Sequence, residues 1–210
     1  MTSKEHWEKV YTKKAVSEVS WFQVSSGLSL KLICKVARSK SVAIIDVGGG
    51  ASVLVDELLA SGYQNLTVID LSNSAMEAVR ERLKERASSV DWLQDDILSY
   101  PFAESSYDIW HDRAVFHFFN CDKERELYLA QAKKALKPNG KLVISTFAED
   151  GPVQCSGLAV TRYSVKKLSE TVKNGFQLVE HYREIHTTPW QSEQTFIYCV
   201  FQLIEPVSPS

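Results

Sequence analysis

The sequence lacks the long apolar segments that membrane proteins need. No uninterrupted apolar run approaches the ~20 residues that cross a bilayer, and the N-terminal residues Met1–Glu8 have no apolar core of the secretory kind. Charge of one sign is also missing, since 24 lysines and arginines oppose 26 aspartates and glutamates, for a net charge of −2. We therefore expect a cytoplasmic protein with no membrane or nucleic-acid partner, because a dedicated nucleic-acid binder normally carries a basic face.

Paired cysteines are absent as well. The four cysteines are far apart in the sequence and form no C-x-x-C pair, which disfavours a zinc site, a disulfide framework and thiol catalysis. We predict no metal site and four reduced, mostly buried thiols. They are Cys34, Cys121, Cys155 and Cys199.

No internal repeat, low-complexity tract or linker divides the chain, and its 210 residues suit one domain with a sizeable core. We expect a single domain over residues 1–204. Within it, residues 1–40 should form a helical arm and residues 41–204 an α/β core. Residues 205–210 are expected to be a flexible tail.

Strand-like and helix-like segments alternate along the core, which predicts a mostly parallel, doubly wound sheet with helices on both faces. A ligand would lie at the carboxyl ends of the central strands. Two closing strands without a helix between them predict an antiparallel edge. The expected strands are 42–47, 66–70, 90–93, 107–111, 141–147, 176–184 and 195–203. The expected helices are 25–40, 52–60, 73–86 after a cap at Ser72 or Asn73, 122–136 after a cap at Asp122, and 164–173, with a turn at 137–140.

Three glycines follow the first strand: Gly48, Gly49 and Gly50. Glycines let a backbone approach a ligand closely, and the next helix offers free N–H groups at its N-terminus. The alternative is a tight strand-to-helix turn, for which three glycines are a poor choice. A dinucleotide fingerprint needs a third spaced glycine where this chain has Val53. Asp46, just before the loop, suits a cationic group such as an ammonium better than a pyrophosphate.

Acidic residues also end the second and third strands. Asp70 lies twenty positions after Gly50 and can accept hydrogen bonds from ribose hydroxyls, or else it caps the next helix. Asp96, and less favourably Asp95, can accept a hydrogen bond from an adenine amino group while Ile97 packs on the ring. The alternative for the last pair is two solvated acids in a loop.

The fourth strand ends in His111, Asp112 and Arg113. His111 or Asp112 could act as a general base toward an amine, hydroxyl or thiol. The alternative is local structure, with Asp112 paired to Arg113 and His111 held in a hydrogen bond.

Taken in order and at this spacing, these segments resemble the class I, seven-β-strand S-adenosylmethionine-dependent methyltransferases. The segments that carry the resemblance are Asp46–Ser52, Val68–Ser72, Gln94–Ile97, Pro101–Phe102 with Ser106–Asp108, and Leu136–Leu142.

The resemblance implies the sheet order 3-2-1-4-5-7-6 with the last strand antiparallel, and S-adenosyl-L-methionine as the cofactor. The three glycines would pass under the methionine moiety, Asp46 would face its ammonium, and Asp70 would hold the ribose. The full set of cofactor residues it implies is Asp46, Gly48, Gly49, Gly50, Asp70, Leu71, Asp96, Ile97, His111, Tyr11 and Trp21.

The segments His6–Tyr11 and Glu18–Phe22 resemble the N-terminal arm of a subset that includes eukaryotic protein-lysine methyltransferases. In that subset the arm closes over the cofactor, which would make Tyr11 and Trp21 lid residues here. The alternative is an arm packed on the edge of the sheet.

The methyl acceptor stays open between a protein lysine and a small metabolite, with transfer by in-line displacement. The chain has no [DN]-P-P-[YFW] motif after strand four and no Pro-Cys nucleophile, which disfavours the two main kinds of DNA methylation. The alternatives are an NAD(P)-dependent oxidoreductase and a cofactor-binding protein without catalysis. Oligomeric state is not predicted. Side chains expected to face the acceptor are His111, Asp112, Arg113, Phe116, His117, His186, Trp190 and Gln194.

Overall fold

The computed structural model describes residues 3–13 and 16–204. The predicted tail, 205–210, lies outside the described residues. The helices are α1 (Ser3–Lys13), α2 (Leu28–Val36), α3 (Leu54–Ala60), α4 (Asn73–Leu83), α5 (Asp122–Ala135) and α6 (Val165–Val172). The strands are β1 (Ala43–Val47), β2 (Asn65–Asp70), β3 (Val90–Gln94), β4 (Tyr107–Arg113), β5 (Leu136–Phe147), β6 (Gln154–Cys155), β7 (Leu158–Ala159), β8 (Phe176–Thr187) and β9 (Glu193–Leu203).

Seven strands form one sheet in the order β3-β2-β1-β4-β5-β9-β8. This is the predicted order. The last two strands are numbered β8 and β9 rather than 6 and 7 because the separate β6–β7 hairpin precedes them in the chain. Strands β1 to β5 pair in parallel, and β9 pairs antiparallel to both β5 and β8. The fold prediction is therefore confirmed, including the reversed last strand.

Alternation along the strands divides the core between the two faces of the sheet, since successive side chains point to opposite sides. On one face Ile44 of β1 packs in a cluster with apolar residues of α2, α3 and α4. On the other face Ile45 and Val47 pack with residues of α5 and α6. The sequence Ile-Ile-Asp-Val at positions 44–47 thus serves two cores and leaves one carboxylate, Asp46, on the α2 face.

Three local predictions are wrong. The expected turn at 137–140 lies inside β5, where three extra residues bulge between the pairs Tyr107–Leu136 and Ile109–Lys141, with Asn139 at φ 62°. The helix expected over residues 25–40 is shorter in the structure, where only Leu28–Val36 (α2) is helical. The expected cap Asp122 is the first residue of α5, after Cys121.

The cysteine prediction is half correct. All four thiols are free, and Cys155 and Cys199 are buried, but Cys34 and Cys121 are exposed. In the described part of the chain, no cluster of histidine, cysteine or acidic side chains is arranged to hold a metal ion. Nor does any described helix combine the length and apolarity that crossing a membrane requires.

Candidate functional site

The glycine loop passes between two carboxylates. Gly48 has φ 66°, in the left-handed region that favours glycine. A Cβ on Gly49 would lie 2.3 Å from Oδ2 of Asp46, and one on Gly50 would lie 2.5 Å from Oδ2 of Asp70. Larger residues at these positions would push the two acids away, so the glycines let both carboxylates approach the backbone.

Asp70 ends β2 with both of its oxygens engaged by backbone. Oδ2 accepts a hydrogen bond from the Gly50 N–H at 3.0 Å, and Oδ1 accepts one from the Ser72 N–H at 2.8 Å. Burial raises the pKa of Asp70 to about 6. A carboxylate has about four acceptor positions, so Asp70 keeps capacity for hydroxyl donors in the cleft that it lines.

Asp46 uses one oxygen and leaves the other without a partner. Its Oδ1 lies 2.7 Å from Nδ1 of His111, whose Nε2 lies 2.9 Å from Oγ of Ser29. Since a carboxylate only accepts, Nδ1 must carry the hydrogen, and in neutral imidazole Nε2 then accepts from the serine. Oδ2 of Asp46 is buried and has no hydrogen-bond partner among the described residues. That lone oxygen suits a cationic donor.

Two adjoining cavities lie at the carboxyl ends of β1, β2 and β4, and both are lined by Tyr11, Trp21, Val47, Gly48 and Arg113. We call them the outer and the inner cavity. The outer cavity is further lined by Ser3, Trp7, Ile69, Asp70, Leu71, Asp95, Asp96, Ile97, Leu98, Ala114, Val115, Phe118, Phe119, Glu124 and Cys155. The inner cavity is further lined by Val19, Phe22, Gln23, Ser26, Ser29, Asp46, Gly49, Ala51, Ser52, Val53, Leu54 and His111.

The structure brings nearly all of the predicted cofactor residues to these cavities. The exception is Gly50, which touches neither cavity and instead donates its N–H to Asp70. Asp95 and Asp96 both line the outer cavity, where Oδ1 of Asp95 accepts from the Asp96 N–H and Oδ1 of Asp96 accepts from the Leu98 N–H. Either acid therefore retains a free oxygen, and the alternative between them stays open.

Asp112 is placed away from the cavities. It follows His111 on β4, so its side chain points to the opposite face of the sheet. There it is fully buried, accepting hydrogen bonds from the Val115 and Phe116 N–H groups and from the Tyr128 hydroxyl at 2.6 Å. Burial raises its pKa to about 6. All of these contacts hold the turn after β4, which favours the structural alternative over the catalytic one.

Most of the other residues expected to face the acceptor also lie away from the two cavities. Phe116 and His117 are completely buried, and burial lowers the pKa of His117 to about 3. Nε2 of His186 lies 2.7 Å from the Ser20 carbonyl oxygen. Trp190 is 60% exposed. Of the eight candidates, only His111 and Arg113 line a cavity.

An aromatic cluster, built from three rings of the N-terminal arm and from Phe118 after β4, lines the outer cavity. The indole Nε1 of Trp21 donates to the Tyr11 hydroxyl at 3.0 Å. The ring of Trp7 makes edge contacts with Trp21 at 5.7 Å and with Phe118 at 5.2 Å between centroids. Tyr11 and Trp21 thus line the cavities, and their role as lid residues stays a prediction. Trp7 and Phe118, which line the outer cavity beside them, were not predicted.

Glu8 fastens this arm to the domain, a contact that the sequence did not predict. Its carboxylate accepts hydrogen bonds from the Ser72 hydroxyl at 2.9 Å and from the Ser74 N–H at 3.2 Å, at the N-terminus of α4. The positive end of a helix dipole favours a carboxylate there. Burial opposes the charge, but the bonds from Ser74 and Ser72 together lower the pKa of Glu8. The residues around Glu8 in the sequence contain no pattern that predicts a contact with α4, which is more than 60 positions away.

Known proteins resemble the chain in sequence and in fold. A family model described as a methyltransferase domain matches residues 45–144. EEF1A lysine methyltransferase 2 of Danio rerio is 26% identical over 203 residues, covering 90% of this chain and 80% of that protein. The ubiquinone/menaquinone biosynthesis C-methyltransferase UbiE of Roseobacter denitrificans is 29% identical over 109 residues, covering 50% of this chain and 42% of that protein.

A solved structure from work on the conversion of a disulfide bond into a thioacetal group during echinomycin biosynthesis matches the fold with a TM-score of 0.79. The two chains are 17% identical, and the match covers 96% of this chain and 92% of the other. The names of these proteins divide between a protein acceptor and small-molecule chemistry.

Proposed function

The chain belongs to the class I S-adenosylmethionine-dependent methyltransferases, and from that premise we propose that it methylates a lysine side chain of a protein. The enzyme class excludes the alternative of an NAD(P)-dependent oxidoreductase. The proposal concerns the acceptor and the residues that carry out the transfer.

The residues of the two cavities fit the cofactor. The unpartnered Oδ2 of Asp46 supports an ammonium contact in the inner cavity. Asp70 supports a contact with the ribose hydroxyls, and Leu71, Asp96 and Ile97 support an adenine position in the outer cavity. When bound, S-adenosylmethionine supplies a methyl group on a sulfonium that is already activated toward a nucleophile.

His111 is proposed to position Asp46 rather than to act as a base. Its two ring nitrogens are occupied by Asp46 and Ser29, and the residue is only 2% exposed. A base must reach the proton that it removes, whereas His111 is held in place by both neighbours. Its proposed task is to fix the direction of the Asp46 carboxylate.

The observation that carries the lysine proposal is the lining of the outer cavity, where aromatic walls meet a carboxylate, Glu124, that is not among the proposed cofactor residues. The aromatic surface comes from Trp7, Trp21, Phe118 and Phe119. Glu124 adds a negative charge to that of the acids assigned to the cofactor. Glu124 attracts a cationic side chain, and aromatic faces stabilise an ammonium group within about 6 Å. Deeper in the cavity, desolvation lowers the pKa of an amine and favours its neutral, nucleophilic form.

The test is methylation of purified eEF1A, which the Danio rerio relative is named for, with methyl-labelled S-adenosylmethionine. Mass spectrometry of the digested acceptor should locate the label on a lysine. After the unreacted donor is removed, a lysate separated into macromolecules and small molecules should carry label only in the macromolecular fraction. Label confined to the small-molecule fraction would reject the proposal.

Two tryptophan variants sharpen this experiment. Trp7→Ala removes part of the aromatic wall and should lower lysine methylation about tenfold, as expected for a cation–π contact of about 1–2 kcal/mol lost in a partly dry site. Trp190→Ala is the matched control, since this exposed tryptophan lines neither cavity. Equal loss in both variants would contradict the role of the wall.

A further inference from the structure

We infer that Arg113 binds the carboxylate of the amino-acid group of the cofactor, so that Arg113 and Asp46 recognise the two charges of that zwitterion together. The inference rests on the proposed cofactor site. It moves Arg113 from the acceptor side, where the sequence places it, to the donor side.

Arg113 lies in the right place for this contact. Strands β1 and β4 are parallel neighbours in which Asp46 pairs with His111. Arg113 is two residues further along β4, so its side chain leaves the sheet on the same face as those of Asp46 and His111. It also belongs to the five residues that line both cavities. An α-amino-acid group held by Asp46 would therefore have Arg113 as its cationic neighbour.

Both side chains keep one buried atom without a hydrogen-bond partner among the described residues. These atoms are Oδ2 of Asp46 and Nη2 of Arg113. One is an acceptor with negative charge and the other a donor with positive charge, as an ammonium and a carboxylate require. Leaving such atoms buried without a hydrogen bond is costly, and a zwitterionic ligand would supply one to each.

The guanidinium is already held in position by its other groups. Nε donates to the Tyr198 hydroxyl at 3.0 Å, and Nη1 donates to the Trp21 carbonyl oxygen at 3.5 Å. The group lies 4.4 Å from the centroid of the Phe196 ring. Nη2 forms an ion pair with Glu184, whose Oε2 lies 3.9 Å away, too far for a hydrogen bond. The structure thus fixes the plane of the guanidinium and leaves Nη2 free to donate.

The experiment measures binding by calorimetry with three ligands that differ only in the charged end. S-adenosylhomocysteine has both the ammonium and the carboxylate. 5′-Deoxy-5′-(3-aminopropylthio)adenosine lacks the carboxylate, and 5′-methylthioadenosine lacks both groups. Arg113→Gln should weaken S-adenosylhomocysteine roughly 10- to 100-fold, as expected for loss of a charge-assisted hydrogen bond. Its affinity for the aminopropyl ligand should stay within about twofold of the native protein's, because that ligand has no carboxylate to lose.

Asp46→Asn provides the complementary pattern, since it should weaken both amine-bearing ligands and spare 5′-methylthioadenosine. The last ligand also reports whether each variant has folded. If Arg113→Gln fails to fold, Arg113→Lys keeps the charge but not the fork of donors, and should still weaken S-adenosylhomocysteine selectively.

Equal weakening of S-adenosylhomocysteine and the aminopropyl ligand would overturn the inference and assign Arg113 a merely structural role. So would unchanged affinity together with a raised KM for the acceptor, which would return Arg113 to the acceptor side. Failure of the proposed function looks different: the native protein would then bind none of the three ligands, or it would bind them without methylating a protein lysine.

Discussion

The indole of Trp21 donates a hydrogen bond of 3.0 Å to the hydroxyl of Tyr11. This bond joins α1 to the segment before α2, and both rings line the outer and the inner cavity. The bond therefore ties two parts of the N-terminal arm together beside the cavities. Its strength should govern how long a ligand stays bound.

Tyr11→Phe tests the predicted lid. Removing the hydroxyl breaks one hydrogen bond, worth about 1 kcal/mol net, and should speed dissociation of S-adenosylhomocysteine about fivefold in stopped-flow fluorescence. The association rate should change less, because affinity differences among variants of one site appear mainly in the dissociation rate. Tyr182→Phe is the matched control, since that hydroxyl bonds Glu180 on β8. Equal acceleration in both variants would rule out the predicted lid.

Glu8→Gln tests the attachment of the arm to α4. The charged oxygens accept from Ser72 and Ser74, and an amide would lose charge at a helix N-terminus, worth about 0.3–1 kcal/mol. We expect faster amide hydrogen exchange over α1 and weaker binding of S-adenosylhomocysteine. Glu77→Gln, an exposed acid on α4, should change neither.

The attachment should also depend on pH. Because the pKa of Glu8 is lowered in the folded protein, its contribution is present above the unfolded value of about 4.3 and is lost as the pH falls through the folded value. Hydrogen exchange of α1, corrected for intrinsic rates, should rise at acid pH in the native protein and be flatter in Glu8→Gln. A parallel pH dependence in the two proteins would contradict this attachment.

Gly48→Ala tests why the loop is glycine. Gly48 has φ 66°, and a Cβ there would lie 2.1 Å from Cγ2 of Val115. Gly157 has φ 78°, and a Cβ at that position would meet nothing within 4 Å, so Gly157→Ala carries the same kind of backbone penalty without the clash. That penalty is roughly 1–2 kcal/mol, and only Gly48→Ala should also lose binding of S-adenosylhomocysteine. Thermal melts and calorimetry on both variants separate the two effects, and equal behaviour would show that backbone strain alone decides.

The doubly wound α/β class could be predicted from the alternation of strands and helices, which is local in sequence, while the order of the strands followed only from the resemblance that the ordered motifs carry. Contacts made only by tertiary packing could not be predicted. Ser29 meets His111 across 82 positions, and Glu8 meets Ser72 across 64. The bulge in β5 was missed because Asn139 and Gly140 favour a free turn as strongly as a bulge. The direction in which the Asp112 side chain points was not predicted. It follows from the alternation of side chains along β4, and the three-residue motif His111–Arg113 alone does not show which face of the sheet carries the cavities.

Asp112→Asn distinguishes the structural role of Asp112 from a catalytic one. An amide would place a donor among the Val115 and Phe116 N–H groups and the Tyr128 hydroxyl, all of which donate to this carboxylate. The free energy of unfolding should fall by about 1–3 kcal/mol, while the affinity for S-adenosylhomocysteine should stay near that of the native protein.

The pH dependence of this difference identifies the group. Burial raises the pKa of Asp112 to about 6 in the folded protein, so folding favours the protonated acid below that pH. Its contribution is complete below the unfolded pKa of about 3.9 and is lost as the pH rises through 6. The stability of the native protein relative to Asp112→Asn should therefore decrease between about pH 4 and 6 and be flat above. The pKa of Asp70 is also raised to about 6. Because Asp70 is present in both proteins, its effect on stability cancels in the difference between them. Unchanged stability with abolished turnover would instead make Asp112 a catalytic residue.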